Sequence, residues 1–267
     1  MPNPDGTPIW FELTTDDQDK AQEFYQDVAG WTVHVSPAAE HRGYRIANAP
    51  DGGGIAGLMQ PPPGMRGLPG WVIYFATGDV DVMVGRVQQL GGAVHFGPMD
   101  IPHVGRFATV SDPQGVAFQI MTGSSPDAST AFKHIAHEGD GGFGHAVWVE
   151  LATPDPDGAL DFYGQLFGWE KKGAMPMGDK GDYVFVGTGE TFRPGAVMSS
   201  KTTGAAARWT WYVHVPDIDG AVAAAKRKGG ALVQGPDQIP GGGYSAKVTD
   251  TEGHAFGIVG PRVSGNS

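Results

Sequence analysis

The chain has no cysteine among its 267 residues. That excludes disulfides, thiolate metal sites, iron–sulfur clusters and a cysteine nucleophile, and it fits a reducing cytoplasm, the compartment expected here. Long apolar runs are also missing. The longest, Trp71 to Ala76, is far too short for a membrane span, and the opening stretch MPNPDGTPIWFELTTDDQDK has neither the basic segment nor the apolar run of a signal peptide. Positive charge is scarce: 18 Lys plus Arg against 29 Asp plus Glu leave a formal charge of −11, with no basic cluster. Nucleic acid and anionic membranes are therefore poor partners.

Glycine and proline are abundant instead. The 43 Gly and 21 Pro make up about a quarter of the chain, close to the range of disordered sequences. Yet seven Trp, seven Tyr and thirteen Phe, with 40% hydrophobic residues, are more than an unpacked chain would carry. A globular, turn-rich protein follows.

The organising feature is an internal repeat. WFELTTDDQDKAQEFYQDVAGW (Trp10 to Trp31) matches WVELATPDPDGALDFYGQLFGW (Trp148 to Trp169) at an offset of 138 residues. The same offset pairs Trp71 with Trp209, Asp79 and Asp81 with Asp217 and Asp219, Gly97-Pro98 with Gly235-Pro236, Asp112 with Asp250, and Phe118 with Phe256. Two homologous domains are expected, 5–125 and 142–262, joined by a polar linker over 126–141 with a short helical turn near Phe132. Each domain reads twice as strand, helix, strand, strand, strand. In the first, strands fall at Ile9–Leu13, Thr32–Val35, Tyr44–Ala47 and Ile55–Gln60, with a helix over Asp16–Val28 capped by Asp16 or Asp17 and ended by Gly30. The pattern restarts with a strand at Trp71–Ala76, a helix over Val80–Leu90 and strands near Ala93–Phe96, Arg106–Val110 and Val116–Met121. The fold class is α+β, with four βαβββ modules in two tandem domains.

Paired βαβββ modules, the Phe24-Tyr25 and Phe162-Tyr163 dipeptides late in the first helix of each repeat, and the turns Asp112-Pro113-Gln114-Gly115 and Asp250-Thr251-Glu252-Gly253 before the last strand resemble the vicinal oxygen chelate superfamily. That superfamily holds glyoxalase I, extradiol dioxygenases, fosfomycin-resistance enzymes and bleomycin-resistance binding proteins. The openings Trp10-Phe11-Glu12-Leu13 and Trp148-Val149-Glu150-Leu151 are similar to tandem-domain actinobacterial members described as glyoxalase-like or as hydroxylases. The resemblance implies curved mixed sheets around a small-ligand cavity and, in metal-dependent members, four ligands: His or Gln on the first strand, Glu on the fourth, His on the fifth and Glu on the eighth. Here those places fall on Trp10 or Glu12, Met59 or Gln60, Val72 or Trp71, and Gln119; in the second repeat they fall on Trp148 or Glu150, Val197 or Met198, Thr210 or Trp209, and Gly257. None is histidine, and no histidine recurs between the repeats. No cofactor is expected, a divalent metal being the alternative.

Glu12 and Glu150 are the candidate catalytic residues, each on a strand expected to line a cavity. Two readings stay open: they hydrogen-bond to backbone or to an arginine of the other domain, or they act as general base or ligand anchor. Trp10, Trp71, Trp148 and Trp209 read as core packing or as flat ligand walls. Unpaired Trp211 is a candidate ligand contact, as are Gln119 and His214. His145, His214 and Glu150 make an alternative metal set, against a solvent-facing His145 and a hydrogen-bonded His214. Arg66, Arg106, Arg193 and Arg208 either meet an anionic substrate or pair with surface carboxylates. Loops 61–70, 98–106 and 199–208 are candidate rims. Gly52 to Gly57 formally contains G-x-G-x-x-G, but three prolines follow where a dinucleotide site needs a helix. The functions in view are a protein that binds or transforms a carbonyl- or quinone-like molecule, a lyase, isomerase or oxygenase relative if catalytic; a drug- or metabolite-binding protein without chemistry; and a divalent-metal lyase or dioxygenase. A monomer is favoured over a homodimer.

Overall fold

Each main helix begins on an aspartate whose carboxylate takes a backbone N–H of the first turn, and this is why the paired aspartates recur. Asp17 caps α1 (Gln18–Ala29) through Lys20 N, and Asp79 caps α2 (Val80–Gln89) through Val82 N. Asp155 caps α3 (Pro156–Phe167) through Gly158 N. A four-residue α4 (Ser200–Thr203) follows, and Asp217 caps α5 (Ile218–Arg227) through Gly220 N. Such caps contribute about 1 kcal/mol each. Gly30 and Gly168 end α1 and α3 in the left-handed region at φ 71° and 72°, where a side chain would be strained.

This computed structural model describes residues 3–38, 41, 43–61, 70–134 and 141–263. The strands of the first repeat are β1 (Pro8–Thr14), β2 (Thr32–Val35), β3 (Arg45–Asn48), β4 (Gly54–Met59), β5 (Gly70–Ala76), β6 (Ala93–Ile101), β7 (Gly105–Ser111) and β8 (Ala117–Gly123). Those of the second are β9 (Ala146–Thr153), β10 (Glu170–Pro176), β11 (Asp182–Thr188), β12 (Phe192–Ser199), β13 (Arg208–His214), β14 (Ala231–Gln238), β15 (Tyr244–Thr249) and β16 (Ala255–Gly260). They form two eight-stranded mixed sheets of identical order, β2-β3-β4-β1-β5-β8-β7-β6 and β10-β11-β12-β9-β13-β16-β15-β14. The expected α+β class and four βαβββ modules are present.

Two local expectations are corrected. Gly97-Pro98, which falls between the expected strands Ala93–Phe96 and Arg106–Val110, lies inside β6, and its repeat partner Gly235-Pro236 lies inside β14; at both the pairing register shifts as in a β-bulge. Phe132 forms no helical turn; it makes a parallel bridge to Ala146, because it and the fully buried Ala131 are apolar and dock as extended chain.

Packing groups the chain into two compact units that cut across the repeats. One holds Met1–Ile9, Val72–Ser129 and Trp148–Thr210; the other holds Trp10–Trp71, Thr130–Val147 and Trp211–Ser267. Each unit thus pairs the first module of one repeat with the second module of the other. The two motifs of the repeat explain this pairing. Tyr25 donates its hydroxyl to Asp250 at 3.0 Å, and Tyr163 donates to Asp112 at 3.1 Å, so each Phe-Tyr dipeptide meets the aspartate turn of the opposite repeat.

Candidate functional site

Strand alternation sends Phe11 and Leu13 of β1 into the core and turns Trp10 and Glu12 to the opposite, half-buried face. There Trp10 Nε1–H donates to the Tyr44 hydroxyl at 2.8 Å, and that hydroxyl donates to Glu12 Oε2 at 3.1 Å. Glu12 lies opposite Gly57 of β4, and a Cβ at Gly57 would overlap the phenol oxygen, so glycine makes the room that Tyr44 occupies. Burial first, and the Glu12 charge second, push the Tyr44 hydroxyl well above the ordinary phenol pKa, which keeps it a donor. The second repeat rebuilds this relay: Trp148 Nε1–H donates to Tyr183 at 2.7 Å, and Tyr183 donates to the buried Glu150 at 3.0 Å.

Trp10 and Glu12, and Trp148 and Glu150, are thus gathered two by two, each carboxylate accepting from a phenol. Tyr44 and Tyr183 were missed by sequence reasoning because they stand 139 residues apart, one more than the repeat offset. The slip persists through the fourth strand, where Met59 and Met198 pair with the equivalent Thr14 and Ala152. The shared Tyr that follows a Gly or Asp and opens a strand was the available signal. Chemically, each relay presents a carboxylate that accepts from a neutral phenol.

Trp71, Trp209 and Trp211 stand elsewhere. Trp71 Nε1–H donates to Tyr25 at 2.8 Å and Trp209 Nε1–H to Tyr163 at 3.2 Å, extending the Tyr–Asp bonds that join the modules. Trp211, expected as a ligand contact, is corrected to a core residue: it is 1% exposed, 4.8 Å from Phe11 and stacked on Trp31. Its flat ring fills the unit's centre, where the first repeat has Ile73.

The histidine pair does not converge on a ligand. His145 is fully buried, with Nδ1 2.6 Å from the Thr130 carbonyl and Nε2 2.9 Å from Asp51 Oδ1, so both ring nitrogens are engaged and the expected solvent-facing placement is corrected. Lys133 also bonds Asp51, and with the Gly53 N–H and His145 it holds that carboxyl far below the usual range. His214 bonds the Gly141 carbonyl at 3.0 Å, packs on Phe143, and has its pKa lowered by burial.

The four positions of the metal centre that the resemblance implies carry one carboxylate, Glu12, and two amides, Gln60 and Gln119, beside thioether, aliphatic or indole side chains, and Gln60 is exposed with its amide N–H donated to the Asp16 carbonyl. In the second repeat only Glu150 remains. One carboxylate and no imidazole do not replace two carboxylates and one or two imidazoles, so this donor set does not fit that centre. Among the described residues no three His, Asp or Glu side chains are gathered in a way that could hold a metal ion.

Arg106 is paired with Asp81 and Asp100, which raise its pKa. Arg66 and most of loop 61–70 lie outside the described residues. Loop 98–106 is largely strand, and 199–208 carries α4. A depression of about 270 Å³ lies between α3 and β10–β12, lined by Leu160, Gln165, Trp169, Lys171, Val186 and Val197; of the places the resemblance implies only Val197 lines it, and none of the candidate catalytic or ligand-binding residues does. No helix among the described residues is long and apolar enough to cross a membrane.

Comparison with known proteins adds the following. The family model described as the glyoxalase/bleomycin resistance protein/dioxygenase superfamily matches twice, at residues 8–120 and 142–258. CFP32 of Mycobacterium bovis, provisionally named a glyoxylase, is 31% identical over 258 residues, covering 96% of this chain and 95% of its own. The anthracycline biosynthesis protein DnrV of Streptomyces peucetius is 30% identical over 273 residues, covering 95% and 93%. Among solved structures, the Mn(II)-bound glyoxalase of Novosphingobium aromaticivorans superposes with a TM-score of 0.64 at 17% identity, over 97% of this chain and 83% of that one. An extradiol ring-cleaving dioxygenase from B. fuscum gives 0.65 at 17%, over 100% and 75%. At these identities the structural likeness concerns the fold.

Proposed function

The chain belongs to the glyoxalase/bleomycin resistance protein/dioxygenase superfamily, and from that premise we propose that it binds or transforms a small carbonyl- or quinone-like organic molecule without the superfamily's four-ligand metal centre. The observation that carries this reading is the Trp–Tyr–Glu relay built twice on the first strands. A carboxylate that accepts from a phenol in each repeat, the Tyr44 phenol being held protonated, is a candidate to accept a proton or a hydrogen bond from a ligand. Relatives named for a glyoxylase and for anthracycline biosynthesis support a small organic ligand. The protein acts as a cytoplasmic monomer in this reading.

Glu12→Gln and Glu150→Gln test it, assayed with methylglyoxal and menadione by turnover and by calorimetry. Loss of turnover or binding in either variant is the expected result; wild-type behaviour in both, or no response to either compound by wild type, overturns it. The second reading is sequestration without chemistry, favoured by a base candidate that has no oxyanion stabiliser identified beside it among the described residues. Binding of menadione with no product from the wild type selects it. Elemental analysis of protein purified without chelators is expected to find metal well below one equivalent per chain; a full equivalent contradicts the metal-free part of the proposal.

A further inference from the structure

The depression between α3 and β10–β12 is lined by no residue of either relay, and comparing the repeats shows what opens it. Helices α1 and α3 correspond residue for residue at the 138-residue offset. Gln26, half-buried on α1, has Gly164 as its counterpart on α3, and Gly164 lines the depression. Backbone conformation does not ask for this glycine, which stands inside a helix and outside the positive-φ region that Gly168 occupies. A Cβ there would come 3.1 Å from the Trp169 carbonyl, yet α1 carries a full side chain at the same place before Trp31. A glycine in a helix interior is destabilising relative to other residues. What it leaves is a space of about 270 Å³ over Leu160, Trp169, Val186 and Val197, none of them more than 9% exposed.

The charges around this space differ between the repeats as well. On α1, Glu23 and Asp27 share Lys228, at 3.9 and 3.3 Å. Their counterparts on α3 are Asp161 and Gln165, and the counterpart of Lys228 is Leu90. The cation has gone and one of the two carboxylates remains. Of the other charges at the rim, Lys171 is paired with Asp157 at 3.6 Å and Glu170 with Lys172 at 2.6 Å. Asp161 has no ion pair among the described residues. The last turn of α3 carries no basic side chain either, although the C-terminal end of a helix favours positive charge.

Two independent substitutions thus meet at one place: the loss of a side chain opens an apolar space, and the loss of a lysine leaves a carboxylate at its rim. We propose that the depression between α3 and β10–β12 binds a short alkylammonium ion, with the alkyl chain over Leu160, Trp169, Val186 and Val197 and the ammonium at Asp161. This site is separate from the relays and belongs to the second repeat alone, since Gln26 and Lys228 fill both roles in the first.

The test is titration of the ¹⁵N-labelled full chain with n-pentylammonium chloride and with 1-pentanol, which has the same chain and a neutral end, followed by the indole N–H signal of Trp169. The wild type should bind the ammonium about tenfold more tightly, the scale of one charge-assisted hydrogen bond. Asp161→Asn should erase that preference, Gly164→Gln should abolish binding of both compounds by restoring the side chain of α1, and Glu23→Gln should change neither. Asp161 is exposed, so Asp161→Asn decides the matter even where Gly164→Gln fails to fold. Equal binding of the two compounds by wild type, no saturable shift of the Trp169 signal, a preference that survives in Asp161→Asn, or wild-type binding by a folded Gly164→Gln overturns the proposal. Loss of ammonium binding in Glu23→Gln also overturns it, by placing the ion on α1.

Discussion

In the unit that contains α1 and α5, Phe11 and Trp211 pack at 4.8 Å where the other unit has Val149 and Ile73. That other unit places Phe75 and Phe167 5.4 Å apart where the first has Val213 and Ala29. All eight are buried. Each core therefore moves its bulk to a different position while keeping the same shared frame of Tyr, Trp and Phe. A duplicated fold needs the right total volume more than any one side chain, but once a large ring is chosen its neighbours are committed to it.

Removing the ring tests that commitment most severely. Trp211→Ala should lose about 3–5 kcal/mol in urea unfolding; a loss under about 1 kcal/mol would show that the ring is not packed as described. Importing the other unit's choice should cost less: Ile73→Trp overfills a site already served by Phe75 and Phe167 and should lose about 1–3 kcal/mol.

The turns differ as the cores do. Glu252 accepts Thr15 Oγ1 and the backbone N–H groups of Asp16 and Asp17, closing the entry to α1. Its counterpart Gln114 leaves its buried Oε1 without a donor among the described residues. Glu252→Gln, which copies the first repeat, should cost about 1 kcal/mol, the scale of a lost cap; no change would mean the three bonds carry nothing.

His254 sharpens the same comparison through pH. Its bond to Asp250 favours the imidazolium and raises its pKa above the ordinary value of 6.5. The folded chain then holds this proton more tightly than the unfolded chain. The stabilisation is complete below the unfolded pKa and disappears as pH rises through the higher folded value. His254→Val, the residue of the first repeat, should remove that decline, seen as a smaller stability difference between about pH 6 and pH 8 than in wild type. An unchanged difference would assign the effect to other groups.

Much of this was legible in the sequence because short-range chemistry dictated it. Asp17, Gly30 and the 3.6-residue spacing of Ala21, Phe24, Tyr25 and Val28 specify α1 locally. The exchange of modules was not legible, since Tyr25 could satisfy its hydroxyl on Asp112 as well as on Asp250, and the motifs are the same in both repeats. The Trp–Tyr–Glu relays were half legible: Glu12 and Glu150 stood out as carboxylates among apolar neighbours, while a one-residue insertion hid Tyr44 and Tyr183. Trp211 misled because an unpaired aromatic looks like a specific contact, when here it offsets smaller residues beside it.

The two repeats share the relay, and the function proposed for the chain stands on it. The most direct test is calorimetric binding of menadione and turnover of methylglyoxal by wild type, Glu12→Gln and Glu150→Gln. Loss of binding or turnover in either variant is the predicted result; wild-type behaviour in both would contradict it.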